Sequence, residues 1–250
     1  MFAQATWNYK LLILFMRKSI TLLFVLSAFF GKAQIWFDLG AKLGYGPSMS
    51  FNKNSFNNLD YSYKYAGAFL YGGKLSVNFN PNHAIVGELL FNQFTHAVNV
   101  QGNPNKVNLK YMQIPVMYRN NSDNGGYTEI GVQFTTLNSA QFNGADVTQQ
   151  FVKSNYDAVL GFGQYIGGGN VFGLNLGLRI AYTLNDVINA DYRTSLGNAI
   201  YAPNNAESFS NFKYQATHNV YVAATLELNF DFGYLAKGSN CHKGTRFKMF

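Results

Sequence analysis

Residues 220–232, VYVAATLELNFDF, alternate between two residue sets with a strictness that few folds accommodate. Val220, Val222, Ala224, Leu226, Leu228, Phe230 and Phe232 form one set. Tyr221, Ala223, Thr225, Glu227, Asn229 and Asp231 form the other, and in an extended strand the two point to opposite faces. A half-buried strand in a water-soluble domain runs to roughly five or six residues, whereas a strand crossing an outer membrane at a tilt needs roughly 9–11. Residues 172–182 repeat the pattern, with Phe172, Leu174, Leu176, Leu178, Ile180 and Tyr182 opposite Gly173, Asn175, Gly177, Arg179 and Ala181. In lipid, only a helix or a closed barrel satisfies every backbone N–H and C=O, so strands of this length and period imply closure. The expectation is an all-β fold, an antiparallel transmembrane β-barrel in the cell outer membrane.

Composition supports a barrel over its rivals. Mean hydropathy is only -0.08, which excludes a polytopic helical membrane protein but suits strands that hide their lipid face in alternation. Charged residues are 12% and aromatics 17%, a balance poor in charge for a soluble surface and suited to aromatic girdles at two interfaces. A secreted sandwich or a lipocalin-like barrel also alternates, but with shorter strands.

Residues 16–33 read as a signal peptide. Met16-Arg17-Lys18 is a basic start, ITLLFVLSAFF a short apolar core, and Gly31-Lys32-Ala33 a small-residue exit, so cleavage after Ala33 would leave Gln34 first. Residues 1–15 read as an upstream extension, residues 34–236 as the barrel and residues 237–250 as a tail. The formal charge of +7 shrinks accordingly. Lys10, Arg17, Lys18 and Lys32 precede Gln34, leaving 15 basic against 12 acidic residues, or +3, with no basic stripe interleaved with stacking aromatics. No nucleic-acid partner follows. The single cysteine, Cys241, excludes an intrachain disulfide and reads as a free thiol.

Eight strand-like segments follow Gln34, at residues 35–49, 65–80, 84–98, 107–120, 127–137, 155–166, 171–184 and 215–234, bounded by Gly, Asn, Pro or Asp. The intervening connections alternate long and short, as in bacterial barrels with long external loops and short periplasmic turns. Both termini then lie in the periplasm, and residues 50–64, 99–106, 138–154 and 185–214 form external loops. In the last and longest, Tyr192, Tyr201, Phe209 and Phe212 are candidate anchors for an external partner, or else a lid over the barrel mouth.

LKYMQIPVMYRN (residues 109–120), YTEIGVQFTTLNSA (127–140) and NYDAVLGFGQYIGGGNVFGLNLGLRIAYTLNDV (155–187) resemble the Bacteroidetes-type outer-membrane β-barrel domain family that includes PorT-like proteins. In that family they correspond to a strand carrying tyrosine, isoleucine and proline, a strand carrying glutamate and glycine, and a hairpin begun by an aspartate. The family has no shared catalytic signature. The resemblance implies a barrel, and for PorT-like members a role in assembling a secretion apparatus. Barrel proteins commonly end on a terminal aromatic, so Phe232, Tyr234 or Phe250 would serve as that signal here.

The polar strand faces offer a lumen cluster of Lys74, Glu88, Glu129, Asp157, Arg179 and Glu227. An eight-stranded barrel is only wide enough to be filled by side chains, and an unpaired buried ion costs on the order of several kcal/mol. A closed plug of ion pairs is therefore expected, with Gly161, Gly163, Gly173 and Gly177 making room for the longer groups. Gly161-Phe162-Gly163 is not a nucleotide loop, because an alternating strand follows where a phosphate-binding helix is required. His83, His96, His218 and His242 lack ligand spacing, so neither metal nor cofactor is expected. A rim arrangement of His218 with Asp186 or Asp191 is the single catalytic candidate, and no Ser/His/Asp or paired-carboxylate motif accompanies it. Three functions follow in order: a non-enzymatic barrel that contacts outer-membrane lipid and binds an envelope or secretion-apparatus protein, a narrow conduit for a small solute, and a rim-located enzyme.

Overall fold

The computed structural model describes residues 35–53, 61–100, 103–169, 172–193 and 214–231. The signal segment, Tyr201, Phe209, Phe212, Phe232, Tyr234, Cys241, His242 and the tail to Phe250 lie outside them.

Nearly all described residues are strand. In chain order these are β1 (Trp36–Phe51), β2 (Tyr61–Lys64), β3 (Gly67–Asn78), β4 (His83–Val100), β5 (Asn103–Asn121), β6 (Gly126–Phe142), β7 (Ala145–Asp146), β8 (Ser154–Gly168), β9 (Phe172–Thr183) and β10 (His218–Asp231). Each long strand pairs antiparallel with its neighbour in sequence, and β10 returns to pair with β1 from Asp38↔Asp231 to Phe51↔His218. The eight long strands thus close a barrel and leave no free edge. The two short ones are outworks: β2 extends the β3 side along β4, and β7 folds back on β6.

Period-2 burial runs through every wall strand. Along β10, Leu226, Leu228 and Phe230 face outward while Thr225, Glu227 and Asn229 are buried. Leu43 on β1, Phe69 and Tyr71 on β3, Leu89 and Phe91 on β4, and Ile130 and Phe134 on β6 continue the apolar exterior. In water such a surface would aggregate; in a bilayer it is the solvent-facing side.

Three connections at one end are tight. Residues 122–125 close the β5–β6 hairpin with Ser122 N–H donating to the Gly126 carbonyl, and Gly125 supplies the left-handed φ of 85° that the turn needs. At the opposite end one expectation fails. Residues 99–100 and 103–106, expected in a loop, are strand, because β4 runs to Val100 and β5 starts at Asn103, with Val98↔Asn105 and Asn99↔Pro104 still paired. Turn-forming Asn and Pro residues read as a loop from composition, but cross-strand pairing carries them. With 18, 19 and 17 residues, β4, β5 and β6 exceed the roughly 9–11 a crossing needs, and the excess projects beyond this end.

Candidate functional site

The lumen is organised around a belt of charge. Seven of the eight wall strands contribute one ionisable side chain each: Lys42 from β1, Lys74 from β3, Glu88 from β4, Arg119 from β5, Glu129 from β6, Arg179 from β9 and Glu227 from β10. At this level β8 contributes Gly161, where a Cβ would sit 2.8 Å from Glu129 Oε2. The missing side chain is the space the carboxylate occupies.

The belt is internally paired. Lys42 Nζ bridges Glu88 Oε1 at 2.5 Å and Glu227 Oε1 at 2.6 Å. Lys74 Nζ donates to Glu227 Oε2 at 2.9 Å rather than to Glu88, its backbone partner in the β3–β4 ladder. Arg119 spans Glu129 at 2.5 Å and Glu227 at 2.9 Å, with its guanidinium 4.1 Å over the Tyr127 ring. Arg179 grips both oxygens of Glu88, at 2.5 and 3.0 Å, and reaches Glu129 at 3.3 Å. Four cations therefore enclose three carboxylates, and each carboxylate touches at least two of them. The glutamates offer oxygens within 4.8 Å of one another, a spacing that would suit a metal ion. Here Lys and Arg groups already occupy those oxygens, so the residues do not fit one.

Of the six expected lumen residues, five meet in the belt, and Asp157 does not. It is buried in a separate group nearer the long-loop end, accepting from Gln133 Nε2 at 2.6 Å, Thr135 Oγ1 at 2.5 Å and Thr183 Oγ1 at 2.7 Å. Beside it lies a cavity of about 10 Å³, room for about one water. Lys42 and Arg119 are additions. Both obey the same inward parity, but Lys42 lies between Gly40 and Gly44, and Arg119 follows Pro115 and Met117 on its face, so neither face reads as polar. Glycine makes room twice more, since a Cβ at Gly163 or Gly177 would strike the Tyr127 ring or hydroxyl.

Above Asp157 the lumen turns apolar and is capped. Phe94, Leu109, Leu137 and Ala140 from the strands pack with Val147 and Phe151 from the β6–β8 connection and Val187 and Ile188 from the β9–β10 connection. Phe151 and Ile188 form a backbone bridge between the two connections. Asp186 pins the second: Oδ1 accepts from the Ile188 and Thr217 amides at 3.1 Å each, and Oδ2 takes the Tyr214 hydroxyl and Arg193 Nε, the latter at 3.1 Å. Partial burial and the adjacent Asp186 carboxylate hold the Tyr214 hydroxyl above its usual pKa, so it remains a donor. Tyr192 packs against this cap rather than standing free.

The rim catalytic arrangement is not assembled. His218 Nδ1 lies 2.9 Å from the Thr183 carbonyl, with its ring stacked on Tyr182 at 5.2 Å, while Asp186 is committed to the latch. Asp191 sits in a short 3-10 turn capped by Asn189. His83 contacts the Tyr118 hydroxyl, and His96 accepts from the Ser50 amide at 3.0 Å inside the wall.

A family model described as an outer membrane protein beta-barrel domain matches residues 32–189, more than half of the chain and most of the wall. The chain belongs to the outer membrane protein β-barrel domain family. It is an outer-membrane barrel, and its apolar exterior contacts membrane lipid. No curated protein matches the chain. Among solved structures, OprG from Pseudomonas aeruginosa is 14% identical with a TM-score of 0.42, covering 80% of this chain and 97% of that one. Neisserial surface protein A gives 10% identity and a TM-score of 0.42, covering 76% and 95%. The Yersinia pestis attachment invasion locus protein Ail gives 12% and 0.39, covering 78% and 99%. The family match, not these distant likenesses, carries the assignment.

Proposed function

We propose that this barrel is a non-enzymatic, non-conducting envelope protein whose long-loop end faces the cell exterior and binds a protein partner, as PorT-like members do in secretion or surface assembly. The observation that carries this reading is the filling of the lumen among the described residues: an ion-paired belt in the middle and an apolar cap above it, with a cavity of about 10 Å³ beside Asp157. A conduit needs a polar path, and a hydrolase needs a nucleophile or paired acid and base at the rim. What remains for function is surface. The β9–β10 connection is the largest external segment, latched at its base by Asp186, with Tyr201, Phe209 and Phe212 as its aromatic candidates.

Protease added to intact cells is expected to cut within residues 186–212. Affinity capture from intact outer membrane, with a tag after Phe250, is expected to lose its partner when that segment is shortened while the barrel still folds. Cleavage only after permeabilisation reverses the orientation, and capture that survives the shortening removes the binding claim.

A further inference from the structure

Outside the belt and the Asp157 group the described charges are segregated by end. At the tight-turn end they are Asp38, Asp123 and Asp231; at the long-loop end they are Lys53, Lys64, Lys106, Lys110, Lys153 and Arg193 against Asp146, Asp186 and Asp191. Three of those lysines converge on one part of the wall. Lys64 pairs with Ala97, Ala97 pairs with Lys106, and Lys110 pairs with Gln93, so β2, β4 and β5 carry them around a common strand. All three are exposed.

A groove runs over that strand. It encloses about 380 Å³, with Gln93, Thr95 and Ala97 of β4 as floor, Lys106 on one side and Tyr45 and Tyr65 on the other. It exists because the β2–β3 side breaks there: Lys64 pairs with Ala97 but Ala68 pairs with Phe94, so one extra residue bulges out at Tyr65–Gly67. The tyrosines stand at 56% and 72% exposure. Lys106 has its backbone fixed by two hydrogen bonds to Asn143, at 3.0 and 3.1 Å. Directly below, Tyr45 pairs with Phe69, and Phe69, Tyr71 and Phe91 form a ring-to-ring stripe at 5.8 and 5.7 Å on the lipid-facing wall.

We propose that this groove is a binding site for a phosphate-bearing anionic lipid of the leaflet at the long-loop end. Its headgroup phosphate lies among Lys64, Lys106 and Lys110, its polar backbone against Gln93, Thr95 and the two tyrosine hydroxyls, and its acyl chains over the Phe69–Tyr71–Phe91 stripe. Charge complementarity and continuity with the lipid-facing surface both select a lipid over a soluble anion. The assignment of that leaflet as the outer one rests on the orientation proposed above; the site itself does not.

Native mass spectrometry of delipidated, folded full-length protein in detergent tests this, because it is blind to orientation. Phosphatidylglycerol and diphosphorylated lipid A are expected to bind on the order of tenfold more tightly than phosphatidylcholine. The combined variant Lys64→Gln, Lys106→Gln, Lys110→Gln is expected to lose that preference, and Lys153→Gln, on the same rim, to keep it. Ala97→Trp, which fills the groove without removing a charge, is expected to lose binding as well, and heat-modifiable gel mobility checks that each variant is folded. Equal binding of the three lipids, a preference that survives Ala97→Trp, an equal loss in Lys153→Gln, or displacement of lipid by millimolar inorganic phosphate would each overturn the proposal.

Discussion

Arg179 shows how much a single side chain carries in a filled lumen. It is 1% exposed and touches two carboxylates on two other strands. Removing one partner of a buried pair leaves the other charge desolvated and unmatched, at about 3–5 kcal/mol. Arg179→Leu is therefore expected to lower folding stability in lipid by about that amount, whereas Lys153→Leu at the exposed rim changes it by less than about 0.5 kcal/mol. Urea titration of the reconstituted protein reads both, and similar values would mean the belt does not hold the wall. At the same scale, Gly163→Ala would place a methyl 2.3 Å from the Tyr127 ring, so a loss of about 1–3 kcal/mol from overpacking is expected in the same titration. Inward parity alone was enough to find Lys74, Glu88, Glu129, Arg179 and Glu227. Which inward residues share a level depends on strand stagger, which no local pattern encodes, and this is why Asp157 belongs to a separate group.

At the scale of elements, the two strands that most constrained the fold are the two whose faces are cleanest. Leu176 on β9 pairs with Leu226 on β10, both outward, while Asn175 pairs with Glu227, both inward. Leu176→Arg or Leu228→Arg places a guanidinium in lipid, at about 2–4 kcal/mol near mid-bilayer. Asn175→Arg or Asn229→Arg is limited by space and pairing in the lumen instead. Folding yield into lipid vesicles is expected to drop for the first pair well beyond the second, and equal yields would mean the faces are exchanged. Strand cores were legible because period 2 repeats over many residues. The β4–β5 extension was not, because Asn99, Asn103 and Pro104 carry turn chemistry that a long antiparallel ladder overrides. The short β2 and β7 were hidden for a related reason: each exists only through a partner strand.

For the whole molecule, the expected mature start near Gln34 is a proposal that intact-mass measurement of protein purified from the outer membrane decides. A mass beginning at Met1 or Met16 would contradict it. The molecule is a barrel turned inside out relative to a soluble domain: apolar where it meets lipid and, among the described residues, ion-paired at the belt and apolar at the cap. Lumen closure is the claim on which the proposed function depends, and planar-bilayer conductance tests it most directly. Wild-type protein inserted in a planar membrane is expected to give no discrete current steps. Steps that appear with the wild type and vanish with Arg179→Ala or Glu88→Ala would show a charged path through the belt and contradict the account.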